Sequence, residues 1–109
     1  MTVLVESKQV KVTQALREFA THQMEKMGKL GKDIRKISVF LETVGKKNND
    51  PSANRVTVQV EVPGKNVIVR KHAVDMYSAI VEAAHGAVRR LRKQTERRLT
   101  LRRSKSVAA

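Results

Sequence analysis

Cysteine is absent from the 109 residues, which removes any disulfide framework or thiolate metal site and is compatible with a reducing cytoplasm. Tryptophan is absent as well, and Phe19, Phe40 and Tyr77 are the whole aromatic complement. A platform of aromatic rings for stacking successive bases therefore lacks its material. The five glycines form neither a GxGxxG nor a GxxxxGK[ST] pattern, so no phosphate-cradling loop is present. Aliphatic or aromatic runs stop at triplets such as Val39-Phe40-Leu41, too short to span a bilayer. The opening Met1-Thr2-Val3-Leu4-Val5-Glu6 has neither the basic start nor the apolar stretch of a secretory signal. His22, His72 and His85 are scattered, and no paired acids accompany them. Neither a metal-ligand spacing nor an acid/base constellation is visible, so no enzyme, cofactor, metal or small-molecule substrate is expected.

Positive charge is what the chain has in excess. Lys and Arg number 23 against ten Asp and Glu, a formal net charge of +13. The chain is 40% hydrophobic, enough to bury a core in one domain, and a folded domain this basic attracts polyanions, either nucleic acid or an anionic membrane.

The order of elements can be read from periodicity. Residues 2–6 are β-prone. Thr13 is a suitable N-cap for a helix whose apolar residues recur at Leu16, Phe19, Ala20, Met27 and Leu30, ending near Gly28 and Gly31. Ile37, Val39 and Leu41 alternate with Ser38, Phe40 and Glu42 as in a half-buried strand, and residues 45–53 read as a mobile loop. Val56, Val58, Val60 and Val62 alternate with Thr57, Gln59 and Glu61. Pro63-Gly64 then turns the chain into a strand within 66–73. Asp75 is positioned to cap a second helix with a stripe of Tyr77, Ile80, Ala84, Ala87 and Leu91. The expectation is an α+β fold, β-α-β-β-β-α, with a four-stranded mixed sheet, its first pair parallel, and both helices on one face. Residues 1–99 would form the domain, and 100–109 a flexible basic tail.

Two basic clusters stand out. Lys26, Lys29, Lys32, Arg35 and Lys36 follow the first helix. Arg89, Arg90, Arg92, Lys93, Arg97 and Arg98 crowd the second. Helices packed side by side would place these residues along a shared outer groove suited to phosphates, so binding by backbone and shape, as for structured RNA, is expected. Phe19 and Tyr77 lie on apolar stripes and are read as core. Gly86 costs its helix about 1 kcal/mol relative to alanine, and close packing against the first helix or the sheet is favoured over close approach of an RNA backbone as its cause.

Val12-Thr13-Gln14-Ala15-Leu16-Arg17-Glu18-Phe19, Asp75-Met76-Tyr77-Ser78-Ala79-Ile80 and Arg89-Arg90-Leu91-Arg92-Lys93, in this order and separation, resemble the ribosome hibernation-promoting factor and ribosome-associated inhibitor family over residues 2–98. The resemblance implies a double-stranded-RNA-binding-domain-like fold. It also implies binding to the small ribosomal subunit in the mRNA and tRNA channel, and steric inhibition of translation under stress or in stationary phase. It carries rRNA contacts onto Lys26, Arg89, Lys93 and Arg97; Arg90 and Arg92 are added by their charge. Val81 stands where an acid is common in the family, and Gln23 and Gly86 where lysines are. The chain resembles the short family form, a cytoplasmic protein monomeric off the ribosome. Two other readings stay open at this point. One is a general structured-RNA-binding or RNA-chaperone module acting off the ribosome. The other is a peripheral membrane protein, disfavoured because the second helix offers alanines where interfacial insertion needs bulky side chains.

Overall fold

In a computed structural model, described over residues 2–8, 11–29, 34–43 and 53–108, the chain follows the order β1 (Thr2–Lys8), α1 (Gln14–Gly28), β2 (Lys36–Thr43), β3 (Asn54–Glu61), β4 (Val67–Ala73) and α2 (Met76–Ala108). The strands form one sheet in spatial order β1-β2-β3-β4. β1 pairs parallel to β2, with Val3 opposite Ile37; β3 and β4 extend the sheet antiparallel, with Val39 opposite Val58 and Val58 opposite Val69. This is the expected mixed sheet and the expected element order.

The period-two pattern explains the register. Ile37, Val39, Leu41, Val56, Val58 and Val60 are buried on the face that α1 and α2 cover, and their neighbours in sequence point to the other face. A slip of one residue would turn every valine of β3 outward, so burial locks the pairing. The turn into β4 depends on Gly64, whose φ of +93° lies in the left-handed region that a side chain disfavours. The loop expected at 45–53 falls, apart from Ala53, outside the described residues, as do Leu30 and Gly31.

Each helix starts where a short polar side chain can satisfy its free N–H groups. Thr13 Oγ1 accepts from Leu16 N at 3.1 Å. Asp75 Oδ1 accepts from Ser78 N at 2.9 Å, and the Ser78 hydroxyl donates to Asp75 Oδ2 at 2.7 Å. These bonds, the hydroxyl's first, hold the Asp75 carboxyl below its ordinary range. Asn54 Nδ2 donates to the Val74 carbonyl at 2.5 Å, fastening the link from β4 into α2. α1 buries Leu16, Ala20, Met24 and Met27 at steps of four, four and three, one stripe of a 3.6-residue helix. Met24, absent from the expected stripe, is fully buried.

α2 packs on β4 and β3 through small residues. Ala79, Ala83 and Ala87 are fully buried and Ile80 fills the space between them. Gly86 is also buried, and a Cβ built there would stand 2.9 Å from Val69 Cγ1. Packing against the sheet therefore accounts for this glycine. Tyr77 departs from expectation. It is 43% exposed, because it lies at the edge of the buried stripe facing α1, where its ring meets that of Phe19 edge-on at 4.9 Å. The pair closes the seam between the helices.

The 33 residues of α2 extend about 50 Å at 1.5 Å per residue. The helix outruns the sheet, and the radius of gyration is 16.0 Å where a compact chain of this length has about 13 Å. The segment expected as a basic tail, 100–109, continues α2 as helix as far as Ala108.

Candidate nucleic-acid interface

α2 runs back along β4, as its contacts show in sequence order. Gly86 sits at Val69, Arg90 Nη1 donates to the Ile68 carbonyl at 2.5 Å, and Gln94 Nε2 donates to the Lys65 carbonyl at 3.0 Å. β4 is an edge strand, with carbonyls not used by the sheet, and α2 supplies donors to that edge.

Between the helix and this edge lies an open cleft in two overlapping parts. One, about 550 Å³, runs over the Pro63–Val67 turn and is walled by Lys65, Arg90, Lys93 and Arg97. The other, about 240 Å³, lies over Gly86 and Val69 and is walled by Arg70, Lys71, Arg89, Arg90 and Lys93. No carboxylate lines either part. Helical geometry explains the gathering on the α2 side. Gly86, Arg90, Lys93 and Arg97 follow at steps of four, three and four, so all four fall on the flank facing β4, with Arg89 beside them.

The structure thus brings together Arg89, Arg90, Lys93 and Arg97 of the six expected RNA-binding residues. Arg92 does not line the cleft: at about 100° per residue it stands roughly 120° around the helix from Gly86. Lys26 is exposed on α1 and does not line it either. The groove shared between two helices is accordingly not where these cations meet; they meet between a helix and a strand. Sequence reasoning missed Lys65, Arg70 and Lys71, which supply the sheet-side wall. Gly86 was the available signal, since a glycine inside a helix marks a close approach, but its partner strand emerges only from the fold.

The opposite face of the sheet has a different character. Glu6, Glu42 and Glu61 offset most of its Lys8, Lys36, Arg55 and Arg70 charge, and Arg55 Nε donates to Glu42 Oε1 at 2.8 Å. The all-cationic lining belongs to the cleft. Among the described residues there is no group of three or more His, Cys, Asp or Glu that could hold a metal ion, and no helix is long and apolar enough to cross a membrane.

Comparison with known proteins agrees with this fold. A ribosomal subunit interface protein from Coxiella burnetii superposes with a TM-score of 0.77 at 20% identity, covering 88% of this chain and 99% of the other. The N-terminal domain of Protein Y from Thermus thermophilus superposes with a TM-score of 0.67 at 26% identity, covering 89% and 98%. The ribosome hibernation promotion factor of Deinococcus radiodurans is 36% identical over 84 residues, which are 77% of this chain and 44% of that protein. The chain thus spans less than half the length of that relative. Residues 3–99 match the family described as sigma 54 modulation protein / S30EA ribosomal protein. With the β-α-β-β-β-α order and both capped helices in place, the chain belongs to this family, the ribosome hibernation-promoting factors.

Proposed function

We propose that this chain is a hibernation factor that binds the small ribosomal subunit in the channel used by mRNA and tRNA. It inhibits translation there by occupying space, under stress or in stationary phase. The observation that carries the reading is the cleft of converging cations with no carboxylate in its lining, in a chain of net charge +13 whose relative is named for ribosome hibernation. Such a surface grips phosphate oxygens, which position a protein on RNA without reading sequence. Occlusion requires only that a folded body be held in place, and no bond is made or broken.

Co-sedimentation with purified small and large subunits, with and without saturating mRNA and initiator tRNA, tests this. Selective small-subunit binding that is lost when the channel is filled is expected. Equal binding to both subunits, or indifference to the ligands, would instead leave an RNA-binding module acting off the ribosome. Arg89→Glu with Lys93→Glu should weaken small-subunit binding by roughly tenfold or more and flatten its salt dependence, since two phosphate contacts are removed. Both side chains are exposed, so the fold should survive.

A further inference from the structure

The cleft has two walls, and only one of them belongs to a helix. Lys71, half-buried on β4, places its Cε 3.3 Å from where a Cβ at position 86 would stand. Its stem therefore lies against the bare backbone of α2. Lys65 stands in the turn whose carbonyl accepts from Gln94, and Arg90 is tied to the Ile68 carbonyl. Both walls are thus held at a set separation before any ligand arrives, and pre-organisation lowers the ordering cost of binding. Cations crowded this closely repel one another, and a polyanion relieves that repulsion. The floor is Val67, Val69 and Gly86, with no aromatic side chain in the lining, so it offers nothing to stack on a base.

We infer that the cleft between α2 and β4 holds one strand of RNA backbone. Lys65 and Lys71 bind phosphates from the sheet side, opposite Lys93 and Arg97, while Lys26 and Arg92 lie outside this contact. The inference rests on the RNA-binding reading above and narrows it to one flank of the molecule. The grip is on phosphate and ribose and is indifferent to sequence.

The test compares Lys65→Glu/Lys71→Glu with the charge-matched Lys26→Glu/Arg92→Glu. Binding to an unstructured RNA of about 20 nucleotides, long enough to cover a site of this kind, is followed by fluorescence anisotropy over a range of salt. Each pair changes net charge equally, so an effect of overall field moves both alike. The sheet-side pair is expected to weaken binding by roughly tenfold or more and to lower the salt slope by about 1.4, or 0.7 per lost contact on a single strand. The control pair should change affinity by less than about threefold and leave the slope in place. Equal losses, a larger loss in the control pair, or no binding of this RNA by the unmodified protein would overturn the assignment. Should circular dichroism show that the glutamates disturb the fold, the corresponding glutamine pairs give the same comparison. Small-subunit co-sedimentation is run in parallel. A cleft-dependent RNA binder with no preference for the small subunit would defeat the ribosomal reading alone. A selective small-subunit binder indifferent to the sheet-side pair would defeat the cleft alone.

Discussion

Replacing Gly86 by alanine sets two effects of similar size against each other. Alanine in a helix interior is favoured over glycine by about 1 kcal/mol, and in an open helix the substitution would stabilise. Here the new Cβ would stand 2.9 Å from Val69 Cγ1 and 3.3 Å from Lys71 Cε. The lysine tip can swing aside cheaply. Val69 cannot: it is buried, β-branched and stiff at χ1. The helix is also prevented from lifting by the Arg90 and Gln94 bonds to the edge of β4. Overpacking of this kind costs about 1–3 kcal/mol, so Gly86→Ala should be destabilising by a net of about 1 kcal/mol, or about 4 °C in Tm for a domain of this size. Urea unfolding gives the difference directly. The same substitution made in a Val69→Ala background, where the obstructing methyl is gone, should recover the helix preference and become stabilising. A Gly86→Ala protein more stable than its parent by about 1 kcal/mol would refute the close-packing argument, because that is the response of an unencumbered helix.

Three further expectations follow from the same structure. Thr13→Ala removes the acceptor for Leu16 N and should cost about 1 kcal/mol in urea unfolding; a neutral result would mean that water satisfies that N–H equally well. Ile80→Ala empties a fully buried position between the alanines of α2 and should cost about 2–5 kcal/mol, with a lowered denaturation midpoint at unchanged m-value. Asp75 is held below its ordinary pKa by the Ser78 hydroxyl and N–H, so its contribution is fully present above the unfolded value of about 3.9 and is lost as pH falls through the lower folded value. Asp75→Asn keeps a capping oxygen without the titration. The stability advantage of the parent over this variant should therefore be constant at neutral pH and shrink in acid, and a difference unchanged down to strongly acidic pH would exclude the linkage.

The strands and caps were legible because each rests on a local rule. Alternating valines on β3 give a period of two whatever surrounds them, and Thr13 and Asp75 are short oxygen-bearing side chains placed before an apolar periodicity. Burial on α2 was legible only in part. Tyr77 fits the apolar stripe by spacing, yet the stripe that packs is centred further round, on Ala79, Ala83 and Ala87, because the sheet accepts small side chains at close range. The cations of α2 could likewise be read as a set, but not their partners. Lys71 follows the strand pattern of β4, and its meeting with α2 depends on where the helix crosses the sheet, a tertiary fact that no local spacing encodes.

The parallel pairing of β1 with β2 carries a consequence for the order of folding. Val58 and Val69 meet across 11 residues of chain, whereas Val3 and Ile37 are 34 apart and the intervening helix must be laid down between them. Loop-closure entropy favours the β2-β3-β4 meander and the docking of α2 as the early nucleus, with β1 added after most of the apolar surface is already buried. Weakening β1, for instance at Val5, should then leave the folding rate nearly unchanged and speed unfolding, the signature of a φ-value near zero. On this account the strand at the sheet's far edge from the cationic cleft sets how long the folded state lasts, and the meander that carries the cleft sets how fast it forms.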